Sequence, residues 1–378
     1  MLSQISRALL LLPIALRAGS ALVTVCNNSP ALCSRTYDNV THLGAHDSPF
    51  VRDSSTHFSS SGNQYYNSTV QLAAGVRLLT AQVQTTNSTS TGQLHVCHTS
   101  CDLLDAGKLS GWLGEINTWL VANPNEVVTV LLVNGAGATA SDLAAEYQEA
   151  GISDIVFKPN STSATSVVST TSSYAVSTPS TSSTSSAWPT LQSLISAGTR
   201  MVNFVDTLPD DSESLYLFLE FDHIFENSYE NTSPSDFSCV PNRPSSVAND
   251  TDQTLSQGLM PFMNHFLYEQ QAFGIQLPND TYITTTNARS GGVGNLGSAA
   301  SACSSVYGKA PTFVLVDFVN VGPAMDTVDR LNGITSPIGR TEVSSSILSA
   351  TSGAVRANCQ FAMLCLTLLA ALVAFVEL

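Results

Sequence analysis

The sequence predicts an α/β fold, a distorted (β/α) barrel of the TIM type. Predicted strands and helices alternate along the chain, which favours a parallel sheet covered by helices. Two runs, Glu126–Val133 and Thr312–Val319, are almost continuously apolar, as in strands buried on both faces. The 378 residues suffice for one barrel of about 250 residues plus additions. An open doubly wound sheet is the alternative, but no Gly-rich phosphate loop follows the first strand.

Each element follows from a local pattern. Strands are predicted from short apolar runs, and helices from apolar residues that recur every three or four positions. The predicted strands are Val40–Ala45, Val76–Val83, Gln93–His98, Glu126–Val133, Ile155–Phe157, Arg200–Asp206 and Thr312–Val319. The predicted helices are Val70–Ala74, Leu109–Ala122, Ser141–Ala150, Leu191–Gly198, Pro261–Phe273 and Met325–Leu331. Gly75 predicts a helix end, and Ser141 and Pro261 predict helix starts. Residues 207–255 have no regular pattern.

Both ends of the chain carry targeting patterns. Residues 1–20 combine basic residues, a short apolar run and small residues, which predicts a secretory signal peptide. Residues 346–378 combine small residues, a polar spacer and an apolar tail, the pattern of a glycosylphosphatidylinositol (GPI) anchor signal. We expect attachment at Ser352, with Ser349 or Ala350 as alternatives. A tail-anchor helix is the competing interpretation. The sequence thus predicts a secreted protein held at the cell surface, on the plasma membrane or the wall.

Between these ends, residues 21–345 are predicted to form the barrel domain, interrupted by a low-complexity insertion at 160–187. In that insertion 19 of the 28 residues are Ser or Thr, without helical periodicity. The formal net charge is −15, which argues against nucleic acid and against non-specific binding to anionic membranes. No pattern indicates an oligomer, so we expect a monomer.

The cysteines and sequons agree with passage through a secretory pathway. Six cysteines lie outside the predicted tail, and we expect the pairs Cys26–Cys33, Cys97–Cys101 and Cys239–Cys303. A zinc site at Cys97 and Cys101 with His95 and His98 is a weaker alternative. Asn-x-Ser/Thr sequons predict N-glycosylation at Asn27, Asn39, Asn67, Asn87, Asn160, Asn231, Asn249 and Asn279.

Two histidines follow short strands. His46 ends the stretch Thr41-His42-Leu43-Gly44-Ala45-His46-Asp47-Ser48, and His98 ends Gln93–His98. A barrel gathers the carboxyl ends of its strands on one face, so His46, His98, Asp206 and Asp317 are expected there. Two imidazoles in one pocket suit general acid–base catalysis, because each titrates near neutral pH. The alternative for each residue is a solvated turn or a helix cap.

These segments resemble the phosphatidylinositol-specific phospholipase C-like phosphodiesterases, in their secreted fungal branch. Gly44-Ala45-His46-Asp47-Ser48 is similar to the family's Gly-Thr/Ala-His-Asp-Ser motif, and Gly75-Val76-Arg77-Leu78-Leu79 to its second strand. Trp119-Leu120-Val121-Ala122-Asn123-Pro124-Asn125-Glu126 is similar to the helix-to-strand turn that follows the second histidine. The resemblance covers residues 40–134 well and the rest loosely.

The resemblance implies cleavage of a phosphodiester in a lipid or sugar. His46 would be the general base that activates a substrate hydroxyl, and His98 the general acid that protonates the leaving alkoxide. Asp317 would orient His46, and Asp47 would hold the same cluster. We expect Gln82 and Asp206 to contact the substrate.

The chain departs from this family at Thr80 and Gln82. Bacterial relatives carry Asp-x-Arg at these positions, with the arginine on the phosphate, and calcium-dependent relatives carry Glu-x-Asp as metal ligands. We therefore expect no metal or other cofactor. Arg77 is an odd number of residues from Gln82, so a regular strand turns it to the other face; Lys108 or Arg52 could supply a cation.

Two functions remain open from the sequence. The first is a surface-anchored phosphodiesterase that acts on a phospholipid or another phosphodiester through its paired histidines. The second is a cell-surface or wall glycoprotein that keeps the barrel with little or no catalysis. Gln82 in place of an arginine and the dense sequons favour the second; both histidines in their strand-end contexts favour the first.

Overall fold

A computed structural model describes residues 24–86, 92–159, 188–209 and 215–349. The predicted signal peptide, the insertion at 160–187, the sequons at Asn87 and Asn160 and the anchor site Ser352 lie outside these residues. The strands are β1 (His42–Ala45), β2 (Leu78–Thr85), β3 (Leu94–Cys97), β4 (Asp105–Lys108), β5 (Val128–Val133), β6 (Met201–Val205), β7 (Leu217–Leu219), β8 (Ile224–Glu226), β9 (Met260–Asn264), β10 (Tyr268–Gln270), β11 (Gln276–Pro278) and β12 (Phe313–Val316).

Eight of these strands form the barrel sheet, in the order β7-β6-β5-β2-β1-β12-β9-β8. Each neighbouring pair in this order runs parallel. Within the described residues no ladder joins β7 to β8, so the barrel has one open seam. This confirms the predicted α/β fold and the distortion of the barrel.

The helices are α1 (Ser68–Ala74), α2 (Leu109–Ala122), α3 (Ala140–Glu149), α4 (Leu191–Ala197), α5 (Thr251–Ser256), α6 (Ile283–Thr286), α7 (Leu296–Tyr307) and α8 (Ala324–Leu331). Most of them pack on the outside of the sheet, whereas α4 packs on the inner cluster and α6 on a separate cluster that includes Phe318. The predicted helix end at Gly75 is confirmed, since its φ of 121° suits glycine. The cap of α3 is Thr139 rather than the expected Ser141, because Thr139 and Asp142 form a reciprocal capping box.

Alternation along the strands fills two cores. Phe313 and Leu315 of β12 point into the barrel, while Val314 and Val316 pack against the helices. Gly44 on β1 leaves room in the barrel, because a Cβ there would lie 2.7 Å from side-chain atoms of both Leu78 and Leu315. A close fit at Gly44 thus precedes the turn that contains His46. Within the described residues no helix is long and apolar enough to cross a membrane.

The predicted helix Pro261–Phe273 is wrong. Met260–Asn264 is strand β9, which lies between β8 and β12, and Tyr268–Gln270 is β10. The spacing of Phe262, Met263 and Phe266 imitates a helical face. In the structure Met263 packs outside the barrel and Phe262 inside, which is the period of a strand. The position of β9 between the strands β8 and β12 has overridden the helical pattern of its sequence.

The segment 207–255, for which no element was predicted, contains β7, β8 and α5. The two strands have only three residues each, too few to show a period.

The amino-terminal end of the barrel is closed by polar contacts. Arg77 is buried and donates to Glu126 through Nε at 2.9 Å and Nη2 at 2.6 Å. Its Nη2 also donates to Asn28 Oδ1 at 2.7 Å. Arg77 precedes β2, which begins at Leu78, and so lies at the opposite end of the barrel from the histidines; it was expected on the other face of a regular strand instead.

The three expected disulfides, Cys26–Cys33, Cys97–Cys101 and Cys239–Cys303, are all formed. Two sequon asparagines are buried: Asn27 donates to Val127 O at 3.1 Å, and Asn231 donates to Ser228 O at 3.0 Å. A glycan on either amide nitrogen would have to displace that contact. Asn39, Asn67 and Asn249 are exposed, and Asn279 is half-buried; glycosylation at these positions stays a prediction.

Arg77→Met is expected to destabilise the fold by about 3–5 kcal/mol, because it leaves the buried Glu126 carboxylate without its cation. The matched control is Arg289→Met, whose exposed pair with Asp326 spans 3.9 Å and is expected to contribute less than about 1 kcal/mol. Urea unfolding of both variants measures the difference. Equal midpoints for the two would contradict the role given to Arg77.

Candidate active site

His46 and Asp317 lie side by side because of strand register. β1 and β12 pair in parallel with Ala45 opposite Val316, so the next residue of each strand meets its neighbour. His46 Nδ1 lies 2.9 Å from Asp317 Oδ1. We assign the proton to Nδ1, which donates to the carboxylate and leaves Nε2 for proton exchange. The ring of His46 stacks on Phe266 at 3.8 Å between centroids, which fixes its plane.

Asp47 lies between the two histidines. Its Oδ2 atom is 3.7 Å from His46 Nε2 and 3.5 Å from His98 Nε2. Gln82 Nε2 donates to the same oxygen at 2.7 Å, so the carboxylate is held in place. The structure thus brings the four predicted catalytic residues, His46, Asp47, His98 and Asp317, into one cluster.

His98 reaches this cluster by a different route from the one expected. β3 is not a barrel strand; it pairs antiparallel with the far end of β2, with Val96 opposite Val83. Because β3 runs back towards the barrel, its carboxyl end meets the same face as the ends of the parallel strands. The position of His98 was predicted, but the parallel strand assumed to place it was wrong.

Next to three of the clustered residues, the backbone adopts a left-handed conformation. Asp47, Thr99 and Phe318 have φ of 48°, 61° and 42°, each at a cost on the order of 1–3 kcal/mol. Their amides donate to Thr80 Oγ1, Gln82 Oε1 and Asn63 O, each at 2.8 Å. Specific acceptors therefore hold the strained turns that aim the functional side chains.

Thr80 and Gln82, the two departures from the family pattern, both form hydrogen bonds that support the cluster. Thr80 accepts from the Asp47 amide through its side chain, and Gln82 bridges the Asp47 carboxylate and the Thr99 amide. Gln82 thereby links the turn after His46 to the turn after His98. Contact of Gln82 with substrate stays a prediction.

Sequence reasoning missed two residues in this cluster. Asn63 Nδ2 donates to Asp317 Oδ1 at 3.0 Å, and Gln64 Nε2 donates to the carbonyls of His46 and Val316 at 2.9 and 3.1 Å. Gln64 therefore clamps the ends of β1 and β12 together. Both residues lie in a polar loop rich in Ser, Asn and Tyr, where no periodicity distinguishes them from solvated neighbours.

The two imidazoles differ in electrostatics. Burial alone would lower the pKa of His46, but the carboxylates of Asp47 and Asp317 outweigh it, so its pKa is raised. Burial dominates at His98, where a single close carboxylate does not compensate, and its pKa is lowered. His46 is therefore the more readily protonated of the two imidazoles.

Acidic residues also lie at the carboxyl ends of β6, β7 and β8. Glu226 is paired with Arg243, whose guanidinium lies 4.3 Å from the ring centroid of Tyr229. Burial and the neighbouring Glu226 raise the pKa of Glu220 well above its ordinary value. Asp206 accepts from the amides of Asn134 and Thr207. Its predicted contact with substrate stays a prediction.

The cations considered from the sequence are already engaged or distant. Arg77 lies at the opposite end of the barrel, paired with Glu126. Arg52 pairs with Asp280 at 2.6 Å, and Lys108 is on the exposed strand β4. The alternative zinc site lacks free thiolate ligands, because Cys97 and Cys101 form a disulfide.

Comparisons with known proteins agree with this fold. The family model described as PI-PLC X 1 matches residues 32–173 and 165–332. PI-PLC X domain-containing protein 1 of Arthroderma benhamiae is 34% identical over 311 residues, 82% of this chain and 90% of that protein. An uncharacterized secreted protein of the same fungus is 32% identical over 342 residues, 87% of this chain and 70% of that protein.

Among solved structures, the phosphatidylinositol-specific phospholipase C of Listeria monocytogenes is 14% identical, with a TM-score of 0.46. The match covers 80% of this chain and 94% of that one. The matched family model and the parallel barrel sheet place the fold among the phospholipase C-like barrels. By its family-model match and its fungal relatives, the chain belongs to the PI-PLC X family.

Asp317→Asn is expected to lower the pKa of His46, because one of the two charges that raise it is removed. Titration of the His46 ring protons by NMR measures the change. Asp105→Asn, which removes a carboxylate that contacts His95 instead, is the control and should leave the midpoint of His46 unchanged. An unaltered midpoint in Asp317→Asn would mean that Asp317 does not set the charge of His46.

Proposed function

We propose that this chain is a phosphoric diester hydrolase that cleaves a lipid or sugar phosphodiester with His46 as general base and His98 as general acid. One observation supports this most: two imidazoles approach one carboxylate oxygen, at 3.7 and 3.5 Å, at the mouth of the barrel. Family membership supports phosphodiesterase-type chemistry in general.

In the proposed reaction the neutral His46 Nε2 takes the proton of an attacking substrate hydroxyl. The hydroxyl oxygen forms a bond to phosphorus as the bond to the leaving oxygen breaks. His98 gives its proton to that leaving alkoxide. Asp317 stabilises the imidazolium that forms on His46, as a carboxylate does for a histidine base.

We further propose that no metal takes part. At the two positions where calcium-dependent relatives would carry ligands, the chain has Thr80 and Gln82, and both side chains are used in hydrogen bonds to the Asp47 and Thr99 turns. Protonated His98, the imidazolium that forms on His46, and Arg243 are then the positive groups available near the phosphate. Since Arg243 is paired with Glu226, we expect a slower enzyme than one with a free arginine.

The proposed site of action is the cell surface. A signal peptide and a GPI anchor, both inferred from sequence, would deliver the protein there. One relative is described as secreted.

His46→Ala and His98→Ala are each expected to lower turnover by about 10²–10⁴-fold, because each removes one proton-transfer step. The assay uses phosphatidylinositol, glycerophosphodiesters and lysophospholipids with EDTA, and again with calcium. His95→Ala is the control, since His95 on β3 pairs with Asp105 rather than Asp47. Full activity in either active-site variant would sink the mechanism, and activity only with calcium would refute metal independence.

A bell-shaped pH profile is expected, with limbs that move together in Asp47→Asn. The mechanism needs neutral His46 and protonated His98, and the product of these two populations peaks between their pKa values. The acid limb then follows His98 and the basic limb His46. Asp47 raises the pKa of both, so its neutralisation shifts both limbs to lower pH. Limbs that stay in place, measured as kcat/KM against pH, would contradict this coupling.

A further inference from the structure

The last described segment, Arg340–Ser349, is here called the C-terminal strap. It has no regular secondary structure. Its start is fastened at the amino-terminal end of the barrel. Arg340 forms a two-bond ion pair with Asp329 of α8, at 2.6 Å for each bond, and the Thr341 amide donates to Ala73 O at the end of α1. A Cβ on Gly75 would lie 2.6 Å from Arg340 Nε, so this glycine makes the seat for the arginine.

The other end of the strap lies at the catalytic end of the barrel. Asn320, four residues after β12, donates from Nδ2 to Ser344 O at 2.9 Å and Ser346 O at 3.3 Å. Leu348 packs on a cluster that includes Tyr65 and Phe318. Phe318 directly follows Asp317, so the strap ends next to the residues that support His46.

The strap therefore runs the height of the barrel. Nine extended residues from 340 to 348 span roughly 25–30 Å. A cavity of about 520 Å³ lies beneath the strap, lined by α1, the loop after β12 and α8. The chain could have ended at the bottom of the barrel after α8, but the strap returns it to the face that holds the histidines.

The predicted anchor follows at once. Ser352 is three residues beyond Ser349, so at full extension the attachment point lies within about 11 Å of the end of the strap. The competing tail-anchor interpretation starts its apolar run at Phe361, twelve residues beyond Ser349, and a linker of that length does not fix the side from which the chain leaves.

Large exposed apolar side chains are also more frequent at the catalytic end of the barrel than at the opposite end. Among the described residues, large exposed aliphatic side chains occur more often at or after the carboxyl ends of strands or on the strap's upper end: Leu103, Val133, Val240, Ile275, Val293 and Ile347. Fewer lie at the opposite end: Val121, Leu215, Val306 and Ile338. A surface of this kind fits the interfacial zone of a lipid bilayer.

We infer that the C-terminal strap delivers the membrane attachment to the rim of the active site, so that the anchored protein turns its catalytic mouth to the bilayer that holds it. The partner of the catalytic mouth is therefore the lipid bilayer to which the protein is anchored. This inference rests on the proposed function for its consequence: lipids of the anchoring leaflet become the substrates at high effective concentration. The net charge of −15 gives no general attraction to anionic lipid, so the tether supplies the proximity.

The test measures orientation of the full chain in phosphatidylcholine vesicles that contain a headgroup-linked quencher lipid. A fluorescent amino acid is encoded at Val293 or, as the matched control, at Val306. These two valines are 63% and 52% exposed; Val293 lies three residues before α7 and Val306 in its last turn, so the helix alone separates them by about 15 Å. We expect quenching at Val293 to exceed quenching at Val306 by at least about three-fold. Equal or reversed quenching, or a protein that does not join the vesicles, would overturn the inference.

A second variant tests the strap itself. About 30 Gly and Ser residues inserted between Ser349 and Ala350 give the tether a reach of about 30 Å. The quenching ratio should then fall towards one, while turnover of a water-soluble phosphodiester stays unchanged. An unchanged ratio would mean that the strap does not set the orientation. Absent turnover with an intact ratio would refute the proposed function and leave the orientation standing.

Discussion

One carboxylate oxygen of Asp47 determines much of the candidate site. It faces both imidazoles and accepts from Gln82. Its own residue adopts a left-handed conformation that the Thr80 hydroxyl stabilises. The neighbouring turns at Thr99 and Phe318 carry similar strain and are also held by specific acceptors. Strain at three points around one cluster persists only where the surrounding fold over-determines it. Here the parallel register of β1 and β12 and the antiparallel return of β3 do so.

The charge of the site follows from this arrangement. Two carboxylates raise the pKa of His46, and burial lowers that of His98. In the proposed reaction, positive charge next to a bound phosphate comes from protonated His98 and, after proton transfer, from His46, since Arg243 is paired with Glu226. Gln82, at the position where the family resemblance implies an arginine in bacterial relatives, connects the two histidine turns. The proposed proton-transfer pair is thus accompanied by a structural link where that resemblance implies a cation.

Much of this could be predicted from sequence, for physical reasons. Continuous apolar runs such as Glu126–Val133 specify buried strands on their own, and a histidine or aspartate directly after such a run lands at the catalytic face. His46 and Asp317 were found in this way. The strand at Pro261 was missed because its apolar spacing also fits a helix. Only its place between two neighbouring strands of the sheet makes the segment a strand. Asn63 and Gln64 were missed because polar loop residues act through contacts far away in sequence, with no local pattern. The strands in 207–255 were too short to have a period.

The most direct measurement follows phosphorus by NMR while the wild-type protein, in EDTA, is offered phosphatidylinositol, glycerophosphodiesters and lysophospholipids. The account predicts that at least one of them is converted, with the phosphate leaving on the head group and an alcohol released from the protonated oxygen. It predicts that the signal fails to appear with the His46 variant. An unchanged spectrum for every substrate, from protein that is folded by circular dichroism, would contradict it. The chain would then be a surface glycoprotein that has kept the barrel without its chemistry.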